Sequence, residues 1–155
     1  VIPVQELLDA AGKYFKKLMK NRPERIELEI EPMEAKVIGD VNQLRFLLEN
    51  LIDEALTVRE DGVIRLQARK DNEYIRFLFT DTRREKSVEE LNQLFYPNLA
   101  RMTSGEKGEL RGTEYLVCKQ IIRDHDEFAG RRGCRINAEP AEGGGFTVYF
   151  TIPRR

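Results

Sequence analysis

Between Asp40 and Val58 the apolar residues Leu44, Leu47, Leu48, Leu51, Ile52 and Ala55 recur at the spacing of one helix face, a period near ~3.6. Asp40 stands just before the pattern, where its carboxylate can accept from the free amides of the first turn. The stripe leaves Asn50, Asp53, Glu54 and Thr57 off the core centre, with Asn50, Glu54 and Thr57 along one side. By periodicity alone this is a core helix with a solvated polar side. A second amphipathic helix is predicted over Val4–Met19, from Leu7, Leu8, Ala11, Tyr14, Phe15 and Leu18. It ends in Lys16, Lys17 and Lys20 with Pro23 beyond, which suits a carbonyl end. Arg25–Ile30 alternates as a half-buried strand, and Lys36–Ile38 is a short extended segment.

After the central helix, Asp61-Gly62 is a hairpin-type turn signal leading into Val63–Lys70. Asp71-Asn72 turns again into Glu73–Asp81, with Ile75, Phe77 and Phe79 on one face, so the two runs read as an antiparallel pair. Asp81–Lys86 has no periodicity and reads as a charged, solvated loop. Ser87 and Glu90 form a capping box that opens a short helix through Leu94. Tyr96–Arg111, with Pro97, Gly105 and Gly108, reads as a long mobile loop. Thr113–Asp124 is helical, with Leu116, Val117, Gln120, Ile121 and Asp124 at turn spacing. Two strands end the chain, Arg131–Pro140 and Gly145–Pro153, joined by Gly143-Gly144-Gly145. In the second, Phe146, Val148, Phe150 and Ile152 alternate strictly. Strand runs separated by helices, with no internal repeat and no dividing linker, predict one α+β domain over residues 1–155. Its expected form is a two-layer sandwich, a mixed sheet covered on one face by helices.

Composition narrows the function classes. Of 155 residues, 41% are hydrophobic and 34% charged, and 26 basic side chains nearly balance 27 acidic ones. That balance carries no electrostatic footprint for nucleic acid or for an anionic membrane surface. No apolar run approaches the ~20 residues of a spanning helix. Cys118 and Cys134 lack metal-ligand spacing and are too few for a disulfide scaffold, so both read as free thiols in a reducing compartment. His125 is the only histidine, which leaves a His-based triad, a His-rich metal site and a phospho-accepting box unsupported. It reads as a helix C-terminal residue interacting with the last carbonyls.

The run Val37–Leu56, VIGDVNQLRFLLENLIDEAL, resembles the segment of histidine-kinase ATP-binding domains that reads GD, then spaced leucines, then N-L-x-x-N-A. That family belongs to the GHKL ATPases. The similarity continues in order. VQELLDAAGKYF is similar to the lead-in helix, FTDT to the D-x-G-x-G box, and LFYP to the F-x-P segment. GTEYLVCKQIIRDHDE resembles the helix opened by the second glycine box, and GGGFTVYFTIP the terminal hairpin.

The resemblance implies an ATP pocket with Mg²⁺ between the central helix and the long loop. It implies that Asp81 reads the adenine amine, that Asn50 stands at the first Asn of the helix motif, that Glu54 occupies the metal-holding Asn position, and that Gly112 keeps one glycine of the second box. Asn50, Glu54, Asp81 and Gly112 are therefore the expected nucleotide-site residues, with Glu54 the metal ligand. Other positions depart from the pattern. Thr57 and Val58 replace a Lys and an aromatic. Arg83 and Glu85 replace the glycines after Asp81, Leu110 and Glu114 flank Gly112, and Phe146 replaces a Thr. Glycine serves such loops by reaching φ > 0 and by bringing no side chain between backbone and phosphate. Glu85 and Glu114 would add negative charge near an anionic ligand, which Arg83, Arg101, Lys107 and Arg111 would partly offset.

The resemblance thus implies the ATP-binding domain of a two-component sensor, with eroded glycine boxes and weak or no nucleotide binding. The alternatives are an active domain passing the γ-phosphate to a histidine elsewhere, with Glu54 on Mg²⁺, and a non-kinase module of the same superfamily. The implied partners are a helical dimerisation and phospho-accepting domain of the same polypeptide and a response-regulator receiver domain. No nucleic acid and no direct membrane contact are expected, and the implied location is cytoplasmic.

Overall fold

The computed structural model describes residues 1–95, 103–104, 110–111, 114–129 and 134–155. In chain order the elements are β1 (Ile2–Pro3), α1 (Val4–Met19), β2 (Ile26–Ile30), β3 (Lys36–Val37), α2 (Val41–Ala55), β4 (Gly62–Asp71), β5 (Tyr74–Asp81) and α3 (Val88–Gln93). There follow β6 (Thr103–Ser104), β7 (Leu110–Arg111), α4 (Glu114–Ala129), β8 (Ile136–Pro140) and β9 (Phe146–Pro153).

The strictly alternating runs find one another. β5 and β9 pair antiparallel with Phe77 opposite Phe150, and their rings stack with centroids 4.9 Å apart. Around them the sheet runs β2-β4-β5-β9-β8, mixed because β2 and β4 are parallel and the other pairs antiparallel. Ile64, Leu66, Ile75, Phe77, Val148, Phe150 and Ile152 are buried on one face. The apolar faces of α1, α2 and α4 supply the facing layer of core residues. Each such side chain contributes about 1.5–3 kcal/mol on leaving water, so the two-layer arrangement follows from where the stripes point. The α+β sandwich expected from the pattern is the observed architecture.

Two local expectations need correction. Asp61-Gly62 does not make a hairpin. Gly62 opens β4 opposite Ile26 of the parallel β2, and the two strands are joined by a crossover through α2. The Asp61 carboxylate instead accepts from the Arg25 amide at 2.8 Å. The hairpin falls at the next signal, where Asn72 at φ 55° turns β4 into β5. The second correction is α4, which runs on to Ala129. It buries Tyr115, Cys118, Ile121, Ile122 and His125 rather than the face through Val117, Gln120 and Asp124. Most of the expected loop at Tyr96–Arg111 lies outside the described residues. Within it Thr103 pairs with Arg111 and Ser104 with Leu110. Cys118 and Cys134 are both buried thiols outside any disulfide.

Candidate nucleotide site

α2 and β5 bring Glu54 and Asp81 to one hollow, whose walls include Ala55, Val58, Phe79, Tyr115 and Phe146. Asp81 ends β5 and is 4% exposed. The neighbouring turn is pressed against it. Gly145 stands at φ 84°, and a Cβ there would strike the Asp81 carbonyl oxygen, so only glycine fits.

The residue that fills this corner is Arg83, whose side chain is 1% exposed. Its Nε donates to Asp81 Oδ1 at 2.9 Å and its Nη2 to Asp81 Oδ2 at 2.9 Å, a bidentate pair. Nη2 also donates to the Ala55 carbonyl at 2.6 Å, and Nη1 to those of Val58 and Glu60 at 2.9 and 3.0 Å. The guanidinium has five N–H groups and all are used. Gly62, at φ 146°, makes room for it, since a Cβ there would lie 2.5 Å from Arg83 Cγ. Arg83 therefore neither lies in a solvated loop nor offers charge to a phosphate, as the sequence suggested. It binds the carboxylate expected to read the base, and it also serves as a cap for α2. Helix α2 has no basic residue in its own last turn. The Arg83 guanidinium and Arg22, which donates to the Leu56 carbonyl at 2.8 Å, supply the charge that favours the carbonyl end.

The remaining predicted residues divide. Glu54 lines the hollow with Asp81, near Arg84 and Lys86. Arg84 is paired with Glu60 at 2.8 Å, and the Lys86 ammonium sits 5.5 Å from the centre of the Phe146 ring. Glu85 is exposed to solvent. Asn50, one turn before Glu54 and 8% exposed, does not line the hollow. Its amide donates to the Phe46 carbonyl of its own helix at 2.8 Å. Gly112 lies outside the described residues, as do the side chains of Arg101, Lys107, Leu110, Arg111 and Glu114.

The opposite end of α2 shows what sequence reading missed. Asp40 accepts from the Gln43 amide at 3.0 Å, as expected of a cap. Its own amide donates to Nε2 of His125 at 3.1 Å, and His125 Nδ1 lies 2.8 Å from the Ile121 carbonyl. The two contacts place the ring proton on Nδ1, the tautomer that serves both. His125 is 4% exposed and lies within α4, so it is an inter-helix strut rather than a helix-end residue. Gly39 lets the ring approach, since a Cβ there would lie 2.9 Å from it. The signal was available: Cys118, Ile121, Ile122 and His125 continue one helical stripe. Between α1 and α2, Tyr14 donates to Asp53 at 2.6 Å. Burial chiefly, then that bond and the charges of Asp53 and Glu49, pushes the Tyr14 phenol well above its ordinary range.

The described residues leave little room in this corner. The hollow encloses about 60 Å³, whereas pockets for ligands of that size run from roughly 300 Å³ upward. Asp81 Oδ1 accepts from both the amide and Nε of Arg83, and Oδ2 accepts from Nη2, which leaves Oδ2 one acceptor site. Glu54 is a chemically suitable Mg²⁺ ligand, yet among the described residues no group of three or more His, Cys, Asp or Glu side chains could hold a metal. Nor is any helix among them long and apolar enough to cross a membrane.

The site thus lies where the acidic end of β5, in a mixed sheet backed by helices, faces the helix that carries Glu54. The chain belongs to the histidine kinase-, DNA gyrase B- and HSP90-like ATPase family, whose model matches residues 39–155. Among solved structures it is similar to the mycobacterial sensor histidine kinase MprB, with 19% identity and a TM-score of 0.73 over 99% of this chain and 96% of that one. The nucleotide-free catalytic domain of histidine kinase ThkA gives 20% identity and a TM-score of 0.74 over 99% and 94%. ThkA is also known in complex with the response regulator TrrA, matched at 19% identity and a TM-score of 0.69 over 97% of this chain and 40% of that one. Full-length ShkA in complex with AMPPNP gives 16% and 0.73 over 97% and 30%. At these identities the likeness is one of fold. No curated protein matches the chain by sequence.

Proposed function

We propose that this chain is the ATPase-family domain of a two-component sensor histidine kinase whose base-reading corner is closed by its own side chain. It would act as a regulatory or scaffolding module with weak or no nucleotide binding. The observation that carries this reading is the capture of both Asp81 oxygens by Arg83. An adenine amine would have to compete for the carboxylate with a buried bidentate ion pair that three carbonyl contacts anchor. Breaking such a pair on one side costs about 3–5 kcal/mol, comparable to the whole binding free energy of a millimolar ligand.

The partners that fit this role are a helical dimerisation and phospho-accepting domain of the same polypeptide and a response-regulator receiver domain. The expected location is cytoplasmic. A second reading, an active domain, is favoured by one observation: Glu54 does share the hollow with Asp81, beside Arg84 and Lys86. In that case Glu54 would hold Mg²⁺, and Arg83 would have to leave its site. A non-kinase module of the superfamily would share the closed corner and lack the phospho-accepting partner.

Titration calorimetry with ATP, with and without Mg²⁺, separates these readings. The closed site predicts millimolar or undetectable affinity in both conditions. Micromolar, Mg²⁺-dependent affinity that Asp81→Asn abolishes would overturn it in favour of the active domain.

A further inference from the structure

Strand β2 ends the sheet, and the hydrogen-bond parity of its parallel ladder shows which of its peptide groups are left over. The Gly62 amide donates to the Arg25 carbonyl at 3.0 Å, and the Glu31 amide to that of Leu66 at 3.2 Å. In a parallel ladder alternate residues face the partner strand. Arg25, Glu27, Glu29 and Glu31 therefore turn their peptide groups to β4, and Ile26, Leu28 and Ile30 turn theirs outward. Beside Leu28 and Ile30 runs a groove of about 730 Å³ whose far wall is α1, including Gly12, Lys13, Phe15 and Lys16. Gly12 keeps that wall flat. It sits inside a helix, where glycine is the weakest ordinary former, and a Cβ there would come within 3.1 Å of Ile30 Cδ1.

We propose that this groove is a docking site for an extended peptide segment that alternates apolar and basic residues and adds to the edge of β2. The apolar side chains would lie on the helix side, over the half-buried Leu28 and Ile30. On that wall Lys13 and Lys16 outnumber Asp9, which disfavours cations there. The basic side chains would lie on the other face, beside the carboxylates of β2. Across β2 and β4 that face already pairs Glu29 with Arg65 and Glu31 with Arg69, both at 3.0 Å. Glu27 is opposite Val63, is exposed and has no ion pair among the described residues, so it is the acid left for an incoming strand. A second copy of β2 is the wrong occupant, because it would set rows of glutamates against each other.

The test uses the whole chain and a fluorescein-labelled octapeptide alternating valine and lysine, read by anisotropy and by amide exchange. Saturating binding is expected, with exchange at Ile26, Leu28 and Ile30 slowed about tenfold or more. The valine–glutamate peptide, a block-scrambled peptide of the same composition and an N-methylated version should each bind about tenfold more weakly or not at all. Glu27→Lys should weaken the lysine peptide about threefold and strengthen the glutamate one. Gly12→Leu, which raises helix propensity while filling the groove, should abolish binding in a chain that still unfolds cooperatively. Absence of binding, equal binding of the scrambled peptide, or binding that leaves those three amides unprotected would each overturn the proposal.

Discussion

The two ends of α2 are held by different physics. At the amino end, Asp40 caps the helix from an adjacent position, and only the His125 strut comes from far along the chain. At the carbonyl end Leu56, Thr57 and Val58 turn back locally on Ile52, Glu54 and Ala55, and the rest is borrowed. Arg83 and Arg22 arrive from other segments to satisfy the Ala55, Leu56 and Val58 carbonyls, because the helix carries no base of its own there. The lesson is that one end depends mainly on a local cap, while the other depends on the buried charge pair that closes the candidate site.

Breaking the carbonyl end should have the largest effect. Arg83→Ala leaves Asp81 buried and unpaired, so urea unfolding should show a loss of about 3–5 kcal/mol. Replacing both partners, as Asp81→Leu with Arg83→Met, should recover much of that loss, and the double-mutant cycle should return a coupling of 2 kcal/mol or more, roughly. At the amino end His125→Ala removes a buried ring and orphans the Asp40 amide, for a loss of about 2–3 kcal/mol. Asp40→Ala should cost only about 1 kcal/mol, since one cap bond goes and water can replace it.

The smallest effect is expected at α3, an end held by local bonds alone. Ser87 Oγ accepts from the Glu90 amide, and the Glu90 carboxylate accepts from the Ser87 amide. The Ser87 backbone bond first, then its side chain, holds the Glu90 carboxyl below the ordinary glutamate value of 4.5. A depressed folded value means that this stabilisation is present above that pH and is lost as pH falls through the lower folded value. The protection factors of the α3 amides, taken against the intrinsic exchange rate at each pH, should fall over that acidic range, while Glu90→Gln should show little such dependence.

What could be read in the sequence tracks this division. The caps at Asp40 and Ser87 and the stripes of α1, α2, β5 and β9 are local patterns, and each was legible. The family resemblance was legible from motif order. What Arg83 does was not. A charged run without periodicity reads as solvated, and nothing along the chain says that Gly62 and the end of α2 make a slot for one guanidinium. The face and length of α4 were misjudged because the polar run Asp124–Glu127 masked a buried histidine. Asn50 could be placed on its helix from the pattern, but not the turn of its amide onto Phe46, which only packing decides.

One consequence of the strand order concerns how the molecule comes into being. β9 follows the other strands of the sheet in the sequence, yet it lies between β5 and β8, with Phe150 stacked on Phe77. While the chain is being made, β5 keeps one flank bare until Phe146–Pro153 is available, and a chain cut short before Phe146 would leave β5 and β8 without the strand that joins them.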